Sequence, residues 1–187
     1  MRLKERKKLI SVLEFLRALA LATLLLTLFM TFVLRPMQVA GGSMAPLLQD
    51  GERVLINVLG GMVKTPQRFD VVVVRHEDEL WVKRVIALPY ERVSWHDDTL
   101  YIDGEPVDEP FLDKGYMQEV RQALQSDVFS ADMEERTMGA DEYLLAGDNR
   151  PFSLDSRNLQ AGTFQRRDII ANGLFIVWPL NEMRWID

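Results

Sequence analysis

The sequence predicts a mainly β domain preceded by one N-terminal transmembrane helix, on three observations. Residues Ala18 to Leu34 form a run of 17 residues without a formal charge, held between Arg17 and Arg35. Beyond Pro36 the chain turns into short stretches rich in β-branched and aromatic residues, each bounded by turn formers. Charge divides the same way: residues 1–35 carry 7 Lys and Arg against 2 Asp and Glu, whereas residues 36–187 carry 15 against 26, so the two parts face different surroundings. The 187 residues, 48% of them hydrophobic, suffice for one domain of ordinary size and a short appendage.

Taken in order, residues 1–17 are a basic segment, with Arg2, Lys4, Arg6, Lys7 and Lys8 ahead of the apolar run. Positive charge before a span keeps that end cytoplasmic. Residues 18–34 are the anchor. At the helical rise the run covers about 25 Å, and Phe15, Leu16 and the aliphatic stem of Arg17 lengthen it toward a bilayer core. A cleaved secretory signal shares the basic start and the apolar run, but this run is longer than a usual signal core. On either reading residues 35–187 form an extracytoplasmic domain, which the uncleaved anchor would hold at the cell membrane.

Within that domain, strands are expected at Val54–Val58, Asp70–Arg75, Leu80–Leu88, Arg92–Trp95, Thr99–Ile102 and Leu174–Trp178. The sequence His76-Glu77-Asp78-Glu79 makes a hairpin turn between the second and third, and Asp103-Gly104 makes another. Residues 115–140 lack the strand pattern and read as a polar insertion with a short helix near Met117–Leu124.

Composition narrows the chemistry. Cys is absent, which excludes disulfides, thiolate metal sites and a cysteine nucleophile. The acidic body argues against nucleic acid as a partner, since that affinity rests on Lys and Arg displacing counterions. His76 and His96 both sit in polar turns. Hydroxyl nucleophiles with a Lys, Asp or Glu base remain. Ser43 stands in Gly41-Gly42-Ser43-Met44-Ala45-Pro46, where a flexible turn delivers a hydroxyl beside a stiff exit. Lys83 lies inside the apolar run Leu80–Leu88, where alternation puts Trp81, Lys83 and Val85 on one face. Desolvation there disfavours the ammonium and leaves a neutral amine able to accept a proton. Arg84, on the opposite face, is expected to reach water. A third feature is the polar loop Gly147–Arg157, which follows the apolar Tyr143–Ala146; its Ser153 can hydrogen-bond the lysine amine while Asp155 and Arg157 pin the loop.

These pieces together resemble type I signal peptidase, the membrane-anchored Ser-Lys protease family. The matching stretches are Gly42–Leu48, Asp50–Leu55, Val82–Pro89 and Gly147–Arg150 continuing through Ser153, Asp155, Ser156 and Arg157, in the family's order; Asp168–Ile170 and Trp178-Pro179 are also similar. The resemblance implies a domain of antiparallel sheets with a membrane-facing apolar surface. It implies Ser43 as nucleophile, Lys83 as general base, Ser153 assisting the lysine, and Asp155 and Arg157 as structural support. It implies signal peptides of exported preproteins and the lipid bilayer as partners, with no metal and no cofactor. The family prefers small residues at the first and third positions before the cut, and Val39, Ala40, Trp81 and Val82 are the expected pocket walls. Some members place an oxyanion-stabilising hydroxyl two residues before the nucleophile, where this chain has Gly41, so a second donor must be its backbone N–H or another group. After Leu88-Pro89 the family usually continues Gly-Asp, whereas this chain has Tyr90-Glu91; the turn is therefore expected to differ locally if that glycine needs a positive φ. A self-cleaving repressor-type protease shares the Ser-Lys chemistry but needs a DNA-binding helical domain, and a non-catalytic relative would not need Ser43, Lys83 and the Gly147–Arg157 loop.

Overall fold

The structure, a computed structural model, describes residues 3–187; Met1 and Arg2, the latter part of the basic cluster, lie outside the described residues. Helix α1 runs from Leu3 to Phe32. From Arg6 to Phe32 it is long and apolar enough to cross a membrane, by length and composition, and its described side chains are exposed. The hydroxyls of Thr23, Thr27 and Thr31 each bond back to a carbonyl four residues earlier at 2.8 Å, which hides three polar groups on an otherwise apolar surface. The helix stops short of the expected end at Leu34. Pro36 disfavours the helical region for Arg35, and strand β1 begins at Leu34.

Among the described residues the strands form three sheets, every pairing antiparallel. The first joins β1 (Leu34–Gln38), β2 (Arg53–Asn57), β12 (Leu174–Trp178) and β13 (Arg184–Ile186), with β1 at one edge. Short helix α2 (Val58–Val63) follows β2. The second sheet has β4 (Glu79–Ala87) at its centre, between β3 (Val71–His76) and β9 (Glu142–Ala146), with β10 (Phe164–Gln165) and β11 (Ile169–Asn172) outside them. The third is β5 (Arg92–His96), β6 (Thr99–Ile102), β7 (Glu105–Val107) and β8 (Met133–Thr137). Helix α3 spans Lys114–Leu124, capped by the Asp113 carboxylate.

The four valines of β3 explain the layering. Val71 and Val73 pack with Val54, Ile56, Leu174 and Ile176 of the first sheet, while Val72 and Val74 pack with Val85, Leu145 and Phe164 on the other side. A strand covered on both faces reads as a continuous apolar run, not an alternating one. A third cluster around Trp95 joins Ile86 and Leu144 of the second sheet to Leu100 and Ile102 of the third.

One expectation of the fold needs correction. Residues 115–140 are not only a polar insertion: β8 lies within them and pairs with β5. Its sequence Met-Glu-Glu-Arg-Thr hides a strand because only Met133 is buried, as suits an outer strand of the sheet. The turn after Leu88-Pro89 places a non-glycine residue in the left-handed region. Tyr90 itself adopts φ +70° with its side chain largely in solvent, while the Glu91 carboxylate accepts from the Leu88 N–H at 2.7 Å and pairs with Arg68 at 2.6 Å. A bulky residue in the left-handed region stores strain of about 1 kcal/mol. Tyr90→Gly should therefore raise the stability of the full chain in detergent by about 1 kcal/mol, measured by denaturant titration; equal or lower stability would show the turn is unstrained.

Candidate active site

The serine loop is built by continuing β1 past its last paired residue. The Val39 N–H donates to the Glu52 carbonyl at 2.8 Å and the Gly51 N–H to the Val39 carbonyl at 3.0 Å, so the backbone stays tied to the β2 side. Gly41 then turns at φ +85°, a conformation that favours glycine, and its N–H donates to Asp50 Oδ1 at 2.8 Å. Met44 and Leu48, both buried, root the exit of the loop in the core. Ser43 sits between, half-buried, on the wall of a cleft of about 410 Å³.

Lys83 faces the same cleft from the middle of β4, where it pairs with Val72 and is 3% exposed. Its amine donates to Ser153 Oγ at 3.1 Å and lies 5.5 Å from the Trp81 ring centre. Burial pulls the pKa from 10.5 down to about 8; Asp155 pulls it back up, and Arg157 lowers it again. Arg157 thus does more than hold the loop. By pairing with Asp155 at 2.8 Å it stops that carboxylate from acting as a full counterion to the amine. The Asp155 carboxyl is raised by burial, yet hydrogen bonds and charge from Arg157, with bonds from Ser153 and the Gly147 N–H, outweigh this and leave it below the usual carboxylate range.

The loop after β9 brings the two strands' residues together. Gly147 lies so close to the serine loop that a Cβ there would come within 2.3 Å of both the Ser43 carbonyl and Ser153 Oγ. The Asn149 N–H donates to the Ser43 carbonyl at 3.0 Å, and its side-chain amide to the Gly42 carbonyl at 2.9 Å. Ser156 closes the base of the loop by exchanging bonds with the Leu145 backbone at 3.0 and 3.1 Å. Arg150 is buried against Glu109 and Ser130, and its Nε donates to the Gly147 carbonyl.

The structure places Ser43, Lys83, Val39, Ala40, Trp81 and Val82 on one cleft and sets Ser153 on the lysine amine. His76 stacks on Trp81 with ring centres 4.0 Å apart, and His96 is exposed at the end of β5. Arg84 does not reach water. It is 5% exposed and bound in a fork by Asp148, at 2.8 and 2.6 Å, with a further bond to the Phe69 carbonyl. The physical reason is what covers this face of β4: the Phe111 ring centre lies 4.1 Å from the guanidinium carbon, and the Asp148 carboxylate satisfies the fork within the core. Sequence reasoning gave roles to Ser153, Asp155 and Arg157 but missed Gly147, Asp148 and Asn149. The usable signal was Arg84 itself, since a guanidinium in an apolar strand requires a carboxylate and Asp148 opens the same loop.

A buried pair broken from one side leaves an uncompensated charge. Asp148→Ala should cost about 3–5 kcal/mol, whereas Arg84→Met combined with Asp148→Leu should recover most of it. Denaturant titration of the three proteins tests this; a single variant no worse than the double would show the pair is solvated.

The family model described as signal peptidase, peptidase S26, matches residues 12–178 of the chain. Signal peptidase I S of Bacillus subtilis (strain 168) is 36% identical over 174 residues, 93% of each protein. Signal peptidase IB of Staphylococcus aureus (strain MRSA252) is 31% identical over 180 residues, again 93% of each. A solved signal peptidase I from Enterococcus faecalis V583 shares 30% identity, covering 59% of this chain and 97% of its own, with a TM-score of 0.49.

Proposed function

On the premise that the chain belongs to the signal peptidase family, peptidase S26, we propose that it removes signal peptides from exported preproteins at the outer face of the cell membrane, with Ser43 as nucleophile and Lys83 as general base. The observation that carries this reading is one cleft holding the half-buried hydroxyl of Ser43 and a buried amine with a pKa near 8. No hydrogen bond joins Ser43 Oγ to Lys83 Nζ in the resting geometry; such contacts tighten when substrate binds.

The reaction is acyl transfer. The neutral Lys83 amine takes the Ser43 proton as Oγ attacks the scissile carbonyl, the resulting ammonium protonates the leaving amine, and water releases the acyl group through the same base. Ser153 orients the amine for this. Its hydroxyl accepts from Lys83 Nζ, so a lysine N–H points at Ser153 and the lone pair is left for Ser43. The developing oxyanion is met by the Ser43 backbone N–H. The Gly41 N–H, committed to Asp50, is not available as a second donor.

Two open strand edges flank the cleft and suit an extended substrate. β1 is an edge strand, and β4 pairs with β9 only from Arg84 onward, which frees the outer backbone of Leu80–Lys83. A signal peptide segment entering between them gains ladder hydrogen bonds, and its alternate side chains meet the walls made by Val39, Ala40, Trp81 and Val82. The shallow apolar walls favour small residues before the cut. The apolar run of helix α1, with the basic residues at the start of the chain, is the anchor that keeps residues 1–17 cytoplasmic, and it confines enzyme and preprotein to one surface.

Incubating the detergent-solubilised protein with a preprotein and weighing the products should show one cut after the signal peptide, absent in Ser43→Ala and in Lys83→Met although both fold; retained cleavage in either rules out the pair. Since the neutral amine is the working form, kcat/KM should rise with pH through about 8 and then level off, gaining roughly tenfold from pH 7. A flat profile with chemistry rate-limiting contradicts this. Gly147→Ala should lower kcat by about 100-fold through displacement of Ser43 and Ser153, with KM little changed; activity within a few-fold of the parent would mean the close approach is not needed.

A further inference from the structure

Away from the catalytic cleft, the concave surface beside the exit of α1 has a charge opposite to that of the domain. A cleft of about 720 Å³ there is lined by Arg35, Arg75, Arg166 and Arg167, with Asp141 as its one carboxylate. It holds a net three positive charges, although residues 36–187 as a whole carry 26 acidic against 15 basic residues. Among the described residues none of the four arginines is in an ion pair. Arg166 is held by the carbonyls of Gly61, Lys64 and Ile169. Arg35, Arg75 and Arg167 are exposed and, among the described residues, donate to no group, so their forks remain available. Clustering like charges without a counterion is unfavourable, and planar guanidinium forks match phosphate oxygens two at a time.

The location supplies the counterion. Thr31, in the last turn of α1, lines the same cleft, and Arg35 follows the helix by three residues. The Val33 carbonyl accepts the N–H groups of Val58 and Leu59, which fastens α2 to the end of the helix. On α2, Leu59, Met62 and Val63 are 47%, 70% and 76% exposed, an apolar rim beside the arginines. Apolar side chains, four guanidiniums and the end of a membrane-length helix thus share one face. An acidic domain is repelled by an anionic membrane, and this face reverses that repulsion where the chain leaves the bilayer.

We propose that this cleft binds the phosphate of an anionic phospholipid headgroup in the leaflet next to the domain, and so fixes the tilt and height of the domain over the membrane. The proposal rests on the reading of α1 as a membrane anchor and not on the protease chemistry.

The test uses the full chain in nanodiscs of phosphatidylcholine and phosphatidylglycerol in equal amounts, with native mass spectrometry of the released protein to identify retained lipid. Phosphatidylglycerol should be retained over phosphatidylcholine. Arg75→Gln combined with Arg167→Gln should lower that preference by about 25-fold, at roughly fivefold for each arginine near an anionic surface. Arg53→Gln combined with Lys114→Gln, which removes equal charge elsewhere, should leave it unchanged. Hydrolysis of a soluble peptide should be the same in all three proteins and reads the protease chemistry separately. If the double variant does not fold, Arg167→Gln alone gives the same reading at about fivefold. No preference in the parent, or equal losses in both double variants, overturns the proposal. Inorganic phosphate binding as firmly in nanodiscs of phosphatidylcholine alone would assign the cleft to a soluble phosphate and overturn the lipid assignment. A chain that does not enter nanodiscs overturns the anchor reading and the proposal with it.

Discussion

An amine taken out of water is the constraint on which the site depends. Lys83 sits on the central strand of a sheet covered on both faces, and moving its pKa from 10.5 to about 8 disfavours the cation by about 3 kcal/mol. The sign follows from linkage. The unfolded chain binds the proton more tightly, so the penalty is fully present below pH 8 and is relieved as pH rises toward 10.5. At neutral pH the fold carries this cost, and what it gains is an amine that is partly neutral where an exposed lysine would be almost wholly cationic.

The surroundings control the amount of that shift. Asp155 alone would restore the ammonium, but Arg157 holds its carboxylate at 2.8 Å and opposes its field. Ser153 satisfies one amine donor without adding charge. Two further buried arginines, Arg84 and Arg150, are neutralised by Asp148 and Glu109 on the far side of the same loop. Gly147 and Asn149 then bring that loop against the serine turn. The loop after β9 therefore does three things at once: it tunes the lysine, neutralises buried cations and sets the distance between two strands.

Among the described residues six of the thirteen strands were legible, because their residues alternate or run apolar, as in Val71–Val74 and Leu80–Ala87. β8 was not, since an outer strand with one buried residue has little hydrophobic signature. Lys83 and Ser43 could be named from local context and family resemblance, whereas the partner of Arg84 could not. Which carboxylate meets a buried guanidinium is decided by the register of β4 against β9, where Arg84 pairs with Ala146 and so faces the residue two places on. Tyr90 shows the converse. A local rule disfavours tyrosine at a positive φ, but the bonds made by Glu91 hold the backbone and the tyrosine accepts the strain.

The most direct measurement is the titration of Lys83 itself, by NMR of the folded protein with labelled lysine and the Lys83→Met variant to assign the signal. The account predicts a midpoint near 8. A midpoint at the ordinary value of 10.5 would mean that the amine is fully charged at neutral pH and cannot take the serine proton.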